Sequence, residues 1–267
     1  MRNWNISMCT LVYPEDLQPH LFAAVNSLPY PGTITCICGT GIGGHKMDLT
    51  EAMKARHSVR QYQNKPLDTE TVKALQAEIQ KCNQESGLHI QLVKDEPKAF
   101  DGFMAHYGKF RGVTNYIAMV GKKGGVDEKC GYYGERLVLL AQQLGLNTCW
   151  AAMTYSKIKT AFVIDEGEKL YIVIALGYGE TQGVAHTSKA ISDVVKTEGE
   201  MPEWFRKGME AALLAPTAMN QQKFQFTRNG IQVSVKAGMG FYAKIDLGIV
   251  KYHFEVGAGK DNFQWAS

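Results

Sequence analysis

The sequence lacks the patterns that mark metal-binding, disulfide-bonded and membrane-spanning proteins. Its six cysteines form no C-x-x-C pair and no Cys/His set with zinc spacing. Charged residues interrupt every apolar run before it reaches the length of a membrane span. We therefore expect reduced thiols, no metal site, no membrane partner and a cytoplasmic location.

Charge of one sign is also scarce. The net charge of +3 is small for 267 residues, and no long Lys/Arg run concentrates it. Nucleic-acid-binding proteins usually carry a strong basic patch, so we expect no nucleic-acid partner. A hydrophobic content of 45% is enough for an ordinary globular core, in one large domain or two small ones.

Residues 1–46 differ in composition from the rest of the chain. Half of the prolines and half of the cysteines fall here, but only four charged residues: Arg2, Glu15, Asp16 and Lys46. A helical pattern begins at Met47, with Asp48 or Thr50 as its N-cap. We expect an N-terminal extension, poorly structured or accessory, before a functional domain over residues 47–267. The alternative is that Met47 is the true start.

A glycine-rich stretch in that extension raises a competing hypothesis. Residues 39–44, GTGIGG, satisfy the dinucleotide-binding pattern G-x-G-x-x-G. A Rossmann unit also needs a second buried strand after its helix, but residues 56–68 are polar and contain Pro66. A Rossmann NAD-dependent dehydrogenase that uses the glycines of 39–44 is therefore the disfavoured alternative.

From Met47 onward, helical and strand patterns alternate, which predicts an α+β fold. The segment Asn229-Gly230 between two short alternating runs predicts a hairpin. The run KLYIVIAL is apolar enough for a strand buried on both faces. We predict helices over 49–55, 69–84, 131–144, 202–214 and 243–256, and strands over 88–94, 116–120, 169–176, 223–228 and 231–237.

The order of these elements contains a weak internal echo. Helix 69–84 and strand 88–94 parallel helix 202–214 and strand 224–228, and the apolar helix from residue 131 parallels the one from residue 243. Chance similarity between amphipathic helices is the alternative. The echo suggests an internal pseudo-twofold.

Two segments offer groups suited to a phosphorylated heteroaromatic ligand. Residues 55–62, ARHSVRQY, place two guanidiniums, an imidazole and a hydroxyl within five positions, and these donors suit a phosphate monoester. A solvated basic turn is the alternative. Residues 215–222, APTAMNQQ, combine small side chains with three adjacent amides, which can pair with the polar edges of a ring.

These segments, together with GYYGERLVLLAQQLGLNTCWAAM and the strand ending IALGYGE, resemble the nitroreductase family of FMN-dependent oxidoreductases. The resemblance covers residues 47–267 in pieces. It implies a central mixed sheet flanked by helices, and it implies that the flavin carries the chemistry without a catalytic side chain or a metal.

The resemblance also implies four groups of FMN contacts. The phosphate and the pyrimidine edge would be held by Arg56, His57, Ser58 and Arg60, and the opposite wall would come from Pro216, Thr217, Ala218, Asn220 and Gln222. Backbone N–H groups of Cys149, Trp150, Ala151, Ala152 and Met153 would face flavin N5 and O4, with Ala152 at N5. His186 and Lys189 would return to the phosphate, and an exposed lysine is the alternative for Lys189. The family commonly has glycines where this chain reads Ala-Ala-Met.

The chain departs from typical members in the order of these segments. The A-P-T loop comes about 160 residues after the R-H-S stretch instead of at the next helix–strand junction. This order resembles a branch in which one chain contains both halves of a site that ordinary members assemble between two subunits. We expect one FMN between the halves 47–196 and 197–267, in a monomer with an internal pseudo-dimer; a homodimer stays open.

The reaction implied by the resemblance is ping-pong hydride transfer from NADH or NADPH to a small electron-poor acceptor, such as a nitroaromatic or a quinone. Trp150 and Met153 would line the slot over the ring. Phe103 and Tyr107 are further candidates for it, with core packing as the favoured interpretation of both. A flavin-binding module without reductase turnover is the second alternative.

Overall fold

The computed structural model describes residues 47–197 and 199–266. The chain divides into two units, Met1–Gly44 and His45–Ser267, and all described residues lie in the second. The glycine-rich stretch and the rest of the predicted N-terminal extension lie outside the described residues, so the hypotheses on them stay untested.

The predicted helices are all present, and most begin within a few residues of the expected position. The described helices and strands, in chain order, are α1 (Leu49–Ala55), α2 (Thr69–Ser86), β1 (Gln91–Val93), α3 (Phe103–Tyr107), β2 (Asn115–Lys122), α4 (Asp127–Gln143), β3 (Asn147–Ala151), β4 (Glu168–Gly177), α5 (Ile191–Val194), β5 (Val195–Lys196), α6 (Glu203–Ala212), β6 (Phe224–Asn229), β7 (Gln232–Ala237), α7 (Ala243–Ala258) and β8 (Gln264–Trp265). In the part of the chain that is described, no helix is long and apolar enough to cross a membrane.

Local chemistry explains where α1 starts. The Asp48 side chain accepts a hydrogen bond from the Glu51 backbone N–H, and the Glu51 carboxylate accepts one from the Asp48 N–H. This capping box satisfies N–H groups that the first turn leaves free. Of the two N-caps expected, Asp48 is the one that forms.

The strands form two four-stranded sheets instead of a single central one. The first has the order β1-β2-β4-β3 and is antiparallel throughout. The second has the order β5-β6-β7-β8 and is mixed, because the β6–β7 hairpin is antiparallel while β5 and β8 pair in parallel with it. The α+β class is confirmed.

One apolar core connects both sheets through helices α4 and α7. It includes Ile174 of β4, Leu137 of α4, Ile249 and Phe254 of α7, and Phe226 of β6. Alternate residues of β4 face two apolar clusters, with Ile174 in one and Val173 and Ala175 in the other, which explains why the strand is continuously apolar.

Helices α4 and α7 approach to backbone contact. A Cβ atom added at Gly131 of α4 would lie 1.9 Å from the carbonyl oxygen of Ile245, and one added at Gly248 of α7 would lie 1.9 Å from that of Glu128. The two contacts are reciprocal, as a local twofold axis between the helices would make them. The wider pseudo-twofold stays a prediction.

The contact at Gly248 predicts an inverted response to substitution. Gly→Ala within a helix normally stabilises a protein by about 0.5–1 kcal/mol, but at Gly248 the added methyl group forces the two helices apart. We expect Gly248→Ala to lower the free energy of unfolding by roughly 1–3 kcal/mol. Urea unfolding measures it, with Lys244→Ala on the exposed side of the same helix as the control. A Gly248→Ala variant as stable as the wild type would contradict the packing described.

Candidate functional site

Segments from both halves of the described chain meet around two adjoining cavities. The segment after α1 is held against β3, because the Val59 N–H donates to the Thr148 carbonyl. The loop after α6 and the first turns of α7 lie opposite. A cavity of about 240 Å³ is mainly polar, and its neighbour of about 430 Å³ is mainly apolar.

The polar cavity is lined by basic side chains and small polar groups. No described carboxylate is among its lining residues. Burial lowers the pKa of His57, and the neighbouring Arg56 and His186 lower it further. The lining residues are Arg56, His57, Ser58, Arg60, Val184, His186, Pro216, Thr217, Met219 and Asn220. Such a lining favours an anion.

Arg56 is the most deeply buried of these basic residues. Its side chain is 3% exposed, and its Nε has no hydrogen-bond partner. The nearest carboxylate oxygen, of Glu135, lies 3.9 Å from that Nε. Burial lowers the pKa of the guanidinium, and Glu135 opposes the shift. A buried donor without a partner is costly, so this position favours a bound acceptor.

Glu135 has other partners besides Arg56. His253 Nε2 lies 2.9 Å from its Oε1, and the Trp150 indole donates to its Oε2 at 3.0 Å. His253 Nδ1 lies 3.0 Å from the Ala211 carbonyl oxygen. The contact between Glu135 and Arg56 is longer than these, and the Arg56 Nε keeps no hydrogen-bond partner.

The apolar cavity shares five of its lining residues with the polar one: Ser58, Arg60, Pro216, Thr217 and Met219. The two are parts of one site. The remaining lining residues are Tyr107, Cys149, Trp150, Ala152, Met153, Thr154, Ile172, Ala218, Phe241, Tyr242, Ile245, Asp246 and Ile249. A ligand with an anionic end and a flat apolar end fits this shape.

The loop from Pro216 to Gln222, which contributes to the lining of both cavities, has a strained backbone. Met219, Asn220 and Gln222 adopt φ values of 52°, 53° and 43°. Residues other than glycine rarely adopt such values, and they occur most often at functional sites, where surrounding contacts hold them. Here the Asn220 Nδ2 and the Gln222 Nε2 both donate to the Thr187 carbonyl, at 2.9 Å each.

Three of the sequence-predicted residues lie behind the cavities and do not line them. The Lys189 ammonium donates to the carbonyls of Gln221 and Gln222, at 3.1 and 3.0 Å. Gln222 is buried and accepts from the Lys189 N–H. Ala151 is buried within β3. The structure brings all the other residues predicted to contact FMN into the lining.

Comparison with known proteins decides the family. A family model described as "Putative TM nitroreductase" matches residues 48–258. The chain belongs to this nitroreductase family.

Solved structures agree with that family in fold. One from Thermotoga maritima, described as a "putative nitroreductase", is 22% identical with a TM-score of 0.56, over 84% of this chain and 90% of that one. A Desulfovibrio desulfuricans structure, described in the same words in complex with FMN, is 19% identical with a TM-score of 0.46, over 58% and 98%. A Bacteroides fragilis nitroreductase with bound FMN is 19% identical with a TM-score of 0.40, over 54% and 94%. The Thermotoga maritima likeness shows a shared fold; the other two are too distant to carry that conclusion. Comparison with curated proteins finds no match.

Sequence reasoning did not predict that α7 forms one wall of the apolar cavity. Ile245 and Ile249 lie at helical spacing, which is equally typical of a core-facing stripe. Tyr242 lines the cavity from the N-cap of α7, with a φ of 57°.

Two aromatic residues were candidates for the slot, with core packing as the favoured interpretation. Tyr107 lines the apolar cavity and is 75% exposed, whereas Phe103 is 83% exposed and is not among the lining residues. Core packing is wrong for both. The short helix α3 carries them away from the sheet, into solvent.

Asp246 is the most unusual of the missed residues. Its side chain is 6% exposed; it accepts from the Ala218 N–H at 3.0 and 3.1 Å and from the Gln221 Nε2 at 2.7 Å. Burial raises the pKa of this carboxyl to about 6, against the effect of those hydrogen bonds. It is the one carboxyl among the described residues that line the apolar cavity.

The raised pKa of Asp246 predicts how stability changes with pH. The native state holds this proton more tightly than the unfolded chain, whose carboxyl titrates near 3.8. The stabilisation is complete below pH 3.8 and is lost as pH rises through about 6. We expect wild type to gain about 2 kcal/mol over Asp246→Asn between pH 7.5 and pH 4.5. Urea unfolding at both pH values measures the gain.

The exposed Asp261 supplies the control for that measurement. The difference between wild type and Asp261→Asn should vary little with pH. If the difference between wild type and Asp246→Asn is equally flat, the buried-carboxyl interpretation fails.

Proposed function

We propose that the chain binds one FMN between the halves 47–196 and 197–267 and acts as an NAD(P)H-dependent oxidoreductase. The observation that carries the proposal is the buried guanidinium of Arg56, whose Nε has no hydrogen-bond partner in the polar cavity that adjoins the apolar one. Membership of the nitroreductase family adds support.

The residues present fit a phosphorylated flavin. Arg56, His57, Ser58 and Arg60 would hold the phosphate and the polar edge of the ring, with His186 on the other side. These basic and hydroxyl donors match a phosphate. The strained loop from Pro216 to Asn220 would cover the ring, and backbone N–H groups of 149–153 would face its reactive edge.

The predicted residues behind the cavities have a supporting role in this proposal. Lys189 and Gln222 fix the loop from Pro216 by hydrogen bonds and would not touch the flavin. Ala151 would contribute through the strand geometry of β3.

When bound, FMN would accept a hydride from NADH or NADPH and deliver it to an electron-poor acceptor such as a nitroaromatic or a quinone. The protein would orient both partners in turn over one apolar face, as ping-pong exchange requires. Met153, Met219, Phe241 and Tyr107 line the cavity with large exposed fractions, which suits a flat, weakly polar molecule at its mouth.

A single chain supplies residues from both halves to each cavity, which supports a complete site in a monomer. A homodimer stays the alternative, and the cytoplasmic location stays a prediction. The Rossmann alternative loses support, since residues 56–68 form no strand and β1 pairs antiparallel with β2. A flavin-binding module without turnover is separated from a reductase by experiment.

The visible spectrum tests the function directly. We expect the purified protein to bind FMN and to bleach when NADH or NADPH is added anaerobically, with colour returning on addition of menadione. A yellow protein that neither donor bleaches would be a flavin-binding module. A protein that does not bind FMN would contradict the proposal.

The phosphate assignment predicts a change in ligand selectivity. We expect Arg56→Ala to weaken FMN binding roughly 10- to 100-fold, because a charge-assisted contact is lost, and to leave riboflavin binding nearly unchanged. Asn220→Ala should weaken both ligands. Arg206→Ala, on the exposed face of α6, is the control. Fluorescence titration measures all four proteins; equal losses for FMN and riboflavin in Arg56→Ala would refute the assignment.

A further inference from the structure

Asp246 is held in a fixed position in the wall of the apolar cavity. It lies in the first turn of α7, and its two carboxylate oxygens accept from the Ala218 N–H and the Gln221 amide. Gln221 is itself fixed, because its Nε2 also donates to the Phe241 carbonyl at 2.8 Å. A carboxyl with two fixed donors has a defined orientation, which a general acid needs.

The proposed reaction consumes a proton in this cavity. Two-electron reduction of a quinone makes two O–H bonds. A hydride brings the electron pair with one hydrogen, and the second hydrogen arrives as a proton. Asp246 is the one carboxyl among the described lining residues of the apolar cavity, and burial raises the pKa of the Cys149 thiol, which makes it a poorer proton source.

We propose that Asp246 is a catalytic acid that gives this proton to the acceptor, an inference that rests on the proposed oxidoreductase function. The carboxyl O–H bond breaks as the acceptor O–H bond forms. The electron pair of the broken bond stays on Asp246, and the resulting carboxylate takes a new proton from solvent. The same exchange serves a nitro group, whose reduction to nitroso with loss of water also consumes protons.

The surroundings of Asp246 suit this role. Burial raises its pKa to about 6, so a useful fraction is protonated just below neutral pH. The loop from Pro216 to Gln222 contains no titratable side chain. On the packed face of α4, Glu128 is paired with Lys251 of α7, which leaves little charge near Asp246 beyond Arg60.

The test compares two acceptors that differ in their need for a proton. Menadione takes up hydride and proton, whereas ferricyanide takes single electrons and no proton. The FMN-loaded protein is reduced anaerobically and mixed with each acceptor by stopped flow between pH 5 and pH 9. We expect the rate with menadione to fall as pH rises through the pKa of Asp246 and the rate with ferricyanide to stay nearly level.

Variants separate acid catalysis from positioning of the loop. Asp246→Asn should slow menadione reduction about 10-fold or more, remove its pH dependence and spare ferricyanide. Gln221→Ala removes the amide that donates to Asp246 but keeps the carboxyl. The pH dependence of menadione reduction should persist in this variant and move to higher pH, because a hydrogen bond that lowers the pKa of Asp246 is gone. Equal slowing of both acceptors in Asp246→Asn would overturn the proposal and assign Asp246 a structural role.

Failure of the inference is distinguishable from failure of the proposed function. A wild-type protein that binds no FMN, or that reduces neither acceptor, fails at the level of function. If the wild-type protein reduces both acceptors with the same pH dependence, the proposed function stands and the role of Asp246 as an acid is contradicted. This comparison needs no variant. Absorbance of the bound flavin, recorded before mixing, shows whether each variant retained the cofactor.

Discussion

Backbone contact between α4 and α7 determines the site. Gly131 and Gly248 let each helix lie against a carbonyl of the other, a distance that side chains at either position would prevent. At this distance His253 of α7 reaches Glu135 of α4, and Ile249 reaches the cavity that β3 lines from the other side. The cavity is therefore a product of helix packing, and its walls belong to segments far apart in the chain.

The same packing explains the electrostatics of the polar end. Glu135 is fully buried, and each of its carboxylate oxygens has a hydrogen-bond partner in the core, His253 for one and the Trp150 indole for the other. The Trp150 ring can lie there because Gly134 has no side chain; a Cβ would come within 2.3 Å of it. The Arg56 Nε is left as a buried donor without a hydrogen-bond partner, 3.9 Å from the Glu135 carboxylate. An anion bound there would stabilise the folded protein, which would couple ligand binding to stability.

Sequence patterns predicted elements better than contacts between elements. The helices of α2, α4 and α7 and the hairpin at Asn229-Gly230 follow from local periodicity and turn chemistry, and they form as expected. The division into two sheets depends on pairing between distant strands, which no local pattern encodes. Candidate residues in 56–60 and 216–220 were found because their residue types are unusual for a turn. Asp246 was missed because a lone acid at the start of a helix is usually a solvated residue that favours the helix dipole; its burial appears only when Ala218 and Gln221 fold over it.

The two ends of the joined cavity carry opposite electrostatic demands. Arg56 at one end is a buried guanidinium whose Nε has no hydrogen-bond partner, while Asp246 at the other is a carboxyl whose ionisation is disfavoured by burial. A phosphate would find several basic and hydroxyl donors beside Arg56, whereas the cavity that Asp246 lines is mainly apolar. An elongated ligand with one anionic end would therefore enter in one orientation, with its apolar end toward α7. Met219 lines both cavities, and Asn220, which has the same strained backbone, lines the polar one. The free energy that this strain and the buried donor cost is offset by the apolar core that both halves share.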